Sequence, residues 1–222
     1  GALVWSGDIH STFESLQNQF AAGLNMGIAG IPWWTTDIGG FFGANIYDES
    51  YHEVFVRWFE YGAFCPVMRL HGYRMPYQPQ FGTTGGAECV SGAPNEIWSY
   101  GDRVYEICKK YISIRETMRP YTRELMREAH EKGTPVMRPL FYDFPEDTVC
   151  WENEKEYMYG PNILVAPVME RGEKTKEVYL PAGTRWTNVW TKEAFEGGQT
   201  VTVATPLDQI PLFTREGYTL EV

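Results

Sequence analysis

A chain of 222 residues can bury a sizeable core and, by length alone, holds one or two domains. Acidic residues outnumber basic ones, 29 to 19, and the net charge of -10 argues against a nucleic-acid backbone as partner. No run reaches the roughly 18 apolar residues of a membrane-spanning helix. The 15% aromatic content is high, and the acidic excess is one that many ordinary soluble proteins share. The first residues, Gly-Ala-Leu-Val-Trp, lack the basic region and cleavage site of a signal peptide, and the chain reads as beginning inside a strand. Cys65, Cys89, Cys108 and Cys150 have no zinc-site spacing, so reduced and mostly buried thiols are expected.

In chain order, Val4-Trp5-Ser6-Gly7-Asp8 reads as a short strand that delivers a carboxylate beside a glycine. Ser11-Thr12-Phe13-Glu14 has the form of a capping box with Ser11 at the cap. Phe13, Leu16, Phe20 and Leu24 then recur at helical spacing. A second strand runs through Pro32-Trp33-Trp34-Thr35-Thr36 to Asp37-Ile38-Gly39-Gly40-Phe41. Trp33 and Trp34 alternate across it, one toward the interior and one toward the helices. Tyr51, Val54, Phe55, Trp58 and Phe59 form the stripe of a second helix, and Phe64 to Leu70 a third strand ending at His71. Strand, helix, strand, helix, strand is the pattern of a parallel sheet wrapped by helices, with its chemistry at the carboxyl ends of the strands.

After His71, Tyr73 to Trp98 is rich in Gly and Pro and reads as a long irregular loop, either a lid or subsite wall or a surface insertion without substrate contact. A helix capped by Asp102 follows, with Val104, Ile107, Cys108, Tyr111, Ile112 and Met118 as its stripe, broken at Pro120; another runs from Tyr121 to Glu131, capped by Gly133. Beyond Gly133, short β-rich runs at 136–140, 157–159, 163–168, 176–180, 185–190, 200–203 and 210–213 are separated by turn residues. They read as an antiparallel sandwich with Trp186 and Trp190 in its core.

The residues alone leave roles open. Asp8 is a candidate proton donor, since the neighbouring Trp5 could raise its pKa, or else a helix cap; Asp37 is a candidate nucleophile or a ligand of hydroxyls; His71 is a ligand or, more commonly for a lone histidine, a structural residue. Taken in this order and spacing, Val4-Trp5-Ser6-Gly7-Asp8, the stretch Pro32–Phe41 with its Asp37-Ile38-Gly39-Gly40-Phe41, and Met68-Arg69-Leu70-His71-Gly72 resemble the last part of the catalytic barrel of glycoside hydrolase family 31, the retaining α-glucosidases and α-xylosidases. The resemblance runs from about Ala2 to the C-terminus. It implies an α/β then all-β architecture: the C-terminal portion of a (β/α)8 TIM barrel over residues 1–132, carrying three strand ends, then an antiparallel β-sandwich over 133–222.

By the same resemblance Asp8 is the general acid/base, Trp5 an aromatic wall, Asp37 and His71 ligands of sugar hydroxyls, and Phe41 an apolar contact. The substrate is an oligosaccharide or glycoside with a terminal α-linked xylose or glucose, xylose slightly favoured, and no metal or organic cofactor is involved. The family's nucleophilic Asp and a substrate-binding Arg lie on earlier segments without counterpart in this sequence. The chain therefore reads as a C-terminal fragment, inactive unless the N-terminal half is present as a second chain or as uncut parent. A non-catalytic carbohydrate-binding module, an inert structural fragment and a transglycosylase using the same residues are the competing readings.

Overall fold

The computed structural model describes residues 2–222. Strand β1 (Val4–Trp5) pairs in parallel with β2 (Trp34–Thr35), Val4 opposite Trp34 and Trp5 opposite Thr35. Between them lies helix α1 (Phe13–Ile28), which buries Leu16 and Phe20 and packs Phe13 and Leu24 against the same core. Its cap is Thr12 and not Ser11: the Thr12 hydroxyl accepts the Ser15 N–H at 3.1 Å, one register later than the expected box. Ser11 is held elsewhere, its N–H donating to the Phe42 carbonyl (2.9 Å).

Helix α2 (Glu49–Ala63), capped by Asp48, buries the expected stripe and then every residue from Val54 to Ala63. The third strand expected over Phe64–Leu70 does not form as a regular strand. Its first half is a turn, with Phe64 N–H on the Tyr61 carbonyl and Cys65 N–H on that of Gly62. The Arg115 guanidinium collects the carbonyls of Ala63, Cys65 and Pro66 at 2.8–2.9 Å, and Pro66 has no N–H to offer. Only the second half lies alongside β2, through Val67 N–H on the Trp34 carbonyl (3.2 Å) and Ile38 N–H on that of Arg69 (3.3 Å).

The segment after His71 is more ordered than a loop. Strands β3 (Arg74–Gln78) and β4 (Ser91–Ala93) pair antiparallel, with short 3-10 turns at Gly85–Glu88 and Ile97–Tyr100. Helix α3 (Asp102–Thr117) starts from Gly101 without a side-chain cap, so Asp102 is its first residue. Ile114 and not Ile112 completes its buried face; Ile112 is exposed. Helix α4 (Arg119–Lys132) carries Pro120 in its first turn and ends on Gly133 at φ +72. Of the cysteines, Cys65, Cys108 and Cys150 are buried, while Cys89 is exposed; all four are free.

The C-terminal region adds β5 (Met137–Pro139), short helices α5 (Leu140–Asp143) and α6 (Val149–Glu152), then β6 (Tyr157–Tyr159), β7 (Ile163–Val165), β8 (Thr175–Leu180), β9 (Arg185–Asn188), β10 (Ala194–Glu196), β11 (Gln199–Ala204) and β12 (Leu212–Arg215). Six of them make one antiparallel sheet in the order β10-β9-β12-β7-β6-β5, and β8 pairs with β11. One face of the sheet sends Met158, Leu164, Trp186 and Phe213 against Val178 and Leu180 of β8. The other sends Tyr157, Tyr159, Ile163 and Val165 into the larger core with α1, α2 and α3. Strands β6 and β7 are therefore buried on both faces, which is why they read as unbroken apolar runs.

Candidate active site

Ser6 and Gly7 carry the chain out of β1, Gly7 at φ +71, and leave Asp8 exposed at the carboxyl end of the strand. Leu3, Trp5, Asp8, Thr35, Arg69 and His71 line one shallow open depression. Four of the expected residues or their motif neighbours thus meet: Trp5, Asp8, Arg69 and His71. Trp5 is 52% exposed. The apolar enclosure expected around the Asp8 carboxyl is not built by these residues.

Asp37 lies beneath, fully buried. Its Oδ1 is ion-paired with Arg69, its N–H donates to the Ser6 hydroxyl (3.2 Å), and its Oδ2 has no partner. Burial pushes its pKa up; Arg69 and then His71 oppose this, and the Asp8 carboxylate adds to it. Asp37, clamped by Arg69 and absent from the wall of the depression, is not placed as an attacking group.

The next four residues turn toward Ile9, whose carbonyl accepts the N–H groups of Phe41 (2.7 Å) and Phe42 (3.0 Å), for a steric reason. Gly39 (φ +84) and Gly40 (φ +77) adopt conformations that side chains rarely take. A Cβ on Gly39 would lie 2.5 Å from the Tyr51 hydroxyl, and one on Gly40 2.5 Å from the Ser11 Cα. Arg74, fully buried, holds this turn: it donates to the carbonyls of Gly40 (2.6 Å), Ile38 (3.0 Å) and Phe41 (3.3 Å) and to the hydroxyl of Tyr100 (3.0 Å). Sequence reasoning missed Arg74 because a buried arginine has no periodic signature. The one available signal is Gly72, where any Cβ would strike the Arg74 guanidinium.

Phe41 does not line the depression but supports its rim. Its ring packs on His71 (5.4 Å) and Tyr73 (6.3 Å), and Tyr73 stacks on Tyr77 (4.5 Å). Trp34 faces the helices, against Gly23 of α1, so Trp33 shares the face of Thr35. Trp186 is buried, while Trp190 is partly buried with Lys110 over its ring at 4.2 Å. No three His, Cys, Asp or Glu side chains among the described residues gather where they could hold a metal ion, and no described helix is long and apolar enough to cross a membrane.

Residues 1–125 match the sequence model of the TIM-barrel domain of glycosyl hydrolases family 31, and residues 133–220 that of the family's C-terminal domain. The chain belongs to glycosyl hydrolase family 31. Within family 31 it is 40% identical over 219 residues to an α-xylosidase of Saccharolobus solfataricus, covering 99% of this chain and 28% of that protein. It is 34% identical to α-glucosidase 2 of Bacillus thermoamyloliquefaciens, covering 97% of this chain and 25% of that one. Among solved structures it superposes with a TM-score of 0.95, at 52% identity, on a family 31 α-xylosidase from a soil metagenome complexed with xylose, over 99% of this chain and 33% of that one. The chain thus spans a third or less of these relatives.

Proposed function

We propose that these residues are the acid/base portion of a retaining exo-α-glycosidase that removes terminal α-linked xylose, or less readily glucose, from an oligosaccharide. The observation that carries this reading is the convergence of Asp8, Trp5, Arg69 and His71 on one depression at the carboxyl ends of parallel β1 and β2. Residues 1–132 are read as the barrel portion, carrying the carboxyl ends of β1 and β2 and the irregular segment that ends at His71, and 133–222 as the sandwich.

Asp8, protonated, gives its proton to the glycosidic oxygen as the bond to the anomeric carbon breaks and a carboxylate attacks that carbon. As carboxylate it then takes a proton from water, whose oxygen displaces the enzyme from the sugar. His71, on the wall of the depression, meets the sugar hydroxyls directly, Asp37 is reached by them from its buried place behind Arg69 once that guanidinium turns toward the sugar, and Trp5 walls the leaving-group side. Asp8 is the only carboxylate among the described residues on the wall of the depression. The attacking carboxylate is therefore assigned to sequence that the relatives have beyond this chain's span, supplied by uncut parent or by a second chain. Preference for xylose rests on the α-xylosidases among the relatives.

The test is Asp8→Ala in the enzyme that includes that sequence. Hydrolysis of a natural disaccharide is expected to fall by about 10²–10⁴-fold. An aryl α-xyloside, whose leaving group needs no proton, should still form the glycosyl-enzyme and be turned over when azide replaces water. Equal loss on both substrates without azide rescue, or no loss, would sink the assignment.

A further inference from the structure

A second concavity shares no lining residue with the depression at Asp8. It is a groove of about 650 Å³ between α1 and the C-terminal region. One wall is aromatic: the rings of Phe141 on α5 and Trp151 on α6 lie 4.7 Å apart and only 10° from parallel. The Trp151 indole N–H donates to the Pro145 carbonyl (2.9 Å), which fixes the ring, yet Trp151 is 57% exposed. With one face on Phe141, the remaining indole surface is open to a ligand.

Two charged groups of the groove, Lys176 and Glu173, lack a hydrogen-bond partner at the atoms that face each other or are buried. Lys176 lies on the inward face of β8, in line with Val178 and Leu180, and is 6% exposed. Its nearest carboxylate, Glu173, is 3.8 Å away, beyond hydrogen-bond length. The Oε2 of Glu173 is buried without a partner. A nearly buried ammonium and a buried carboxylate oxygen, neither hydrogen-bonded to the other, call for polar partners inside the groove. Gln17 of α1 adds an amide, whose nitrogen donates to the Met169 carbonyl (2.9 Å).

The occupant follows from this mixture. An apolar peptide would leave Lys176 and Glu173 desolvated without a hydrogen-bond partner, and an anion would meet three carboxylates, Glu154, Glu170 and Glu173, against the two cations Lys155 and Lys176. A neutral polyol with an apolar ring face both donates to the carboxylate and accepts from the ammonium while its CH face covers the indole. We propose that this groove is a second, non-catalytic binding site for a neutral oligosaccharide, with a pyranose ring on Trp151 and hydroxyls on Glu173 and Lys176. The site is independent of the role given to Asp8 and rests on the proposed reading only in taking saccharide as the ligand class.

The experiment is hydroxyl-radical footprinting of the chain, read by peptide mass spectrometry, with maltotetraose and cellotetraose as probes. One of the two is expected to bind with Kd on the order of 1 mM and to protect the peptide bearing Trp151. Protection should persist in His71→Ala, which disables the depression. Trp151→Ala should weaken binding by about tenfold in calorimetry, and Lys176→Met should weaken it as well. If Trp151→Ala does not fold, the footprint of the unsubstituted chain and Lys176→Met decide. Absence of Trp151 protection with both probes, or binding lost in His71→Ala and kept in Trp151→Ala, overturns the proposal. Failure of the Asp8 assignment would appear in hydrolysis and leave the Trp151 footprint unchanged.

Discussion

Asp37 and Arg69 form a pair in which one partner is fully buried and the other one-third exposed, so solvent offsets part of the charge on Arg69 but none of that on Asp37. Arg69→Leu would leave a buried carboxyl without its counter-charge, and Asp37 would be driven further toward its neutral form. The expected cost is about 2 kcal/mol in urea unfolding, with weakened sugar binding at neutral pH. Glu156 sets a second dependence. It is 2% exposed, accepts the Tyr179 N–H (2.9 Å) through Oε1, and leaves Oε2 unpartnered; burial pushes its pKa up to about 7 from 4.5. A group whose pKa is raised by folding stabilises the fold while it is protonated. Its contribution is complete below about pH 4.5 and lost as pH rises to about 7, on the order of 3 kcal/mol in all. Thermal unfolding followed across that window should show the decline in the unsubstituted chain and a smaller one in Glu156→Gln. A parallel decline in both would show that Glu156 is not its source.

At the scale of elements, the turn from Ile38 to Phe41 belongs to the site only because Arg74, one segment later, gathers three of its carbonyls. The arginine reaches them because Gly72 has no side chain and the Gly39-Gly40 backbone takes positive φ. Arg74→Met keeps the bulk and removes every donor, leaving the Ile38 and Gly40 carbonyls unpaired while that of Phe41 keeps the Tyr73 N–H. At about 1–3 kcal/mol for each such group, the turn is expected to loosen before the fold as a whole. Hydrogen exchange should then accelerate at Gly40, Phe41 and Tyr73, whose N–H groups bond to Asp37, Ile9 and Phe41, while α1 and α4 keep their protection. Uniform acceleration would mean that Arg74 supports the whole core and not the turn.

The whole molecule has a core that ignores the division at Gly133. Phe20 of α1 and Tyr61 of α2 meet Tyr157 of β6 edge-to-face at 5.7 and 6.2 Å, and the Tyr157 hydroxyl donates to the Phe64 carbonyl (2.9 Å). Arg57 of α2 donates to the carbonyls of Thr205 (2.7 Å) and Pro206 (3.0 Å). Residues 133–222 alone would expose Tyr157, Tyr159, Ile163 and Val165. At about 2 kcal/mol each, that loss is comparable to the stability of a typical domain. Expressed alone they are expected to lack a cooperative unfolding transition, which speaks against a free-standing carbohydrate-binding module. A sharp calorimetric transition for 133–222 alone would revive that reading.

Sequence by itself determined what is local or short in range. The helices were legible because their apolar residues recur every three or four positions, and Gly133 ended α4 because it tolerates left-handed backbone. The strands beyond Gly133 were legible as β-rich runs between turns, and the family could be read from Asp37-Ile38-Gly39-Gly40-Phe41 and Arg69-Leu70-His71-Gly72. The tertiary structure decided what depends on partners distant in the chain. It moved the α1 cap to Thr12, dissolved half of the third strand because Arg115 takes its carbonyls, and ordered β3 and β4 after His71. It showed that β5, β6 and β7 bury both faces, and it placed Arg74 under the glycine turn. A hydrogen bond or a contact between residues far apart in the chain leaves no period in the sequence, so packing alone chooses among the partners that local chemistry permits.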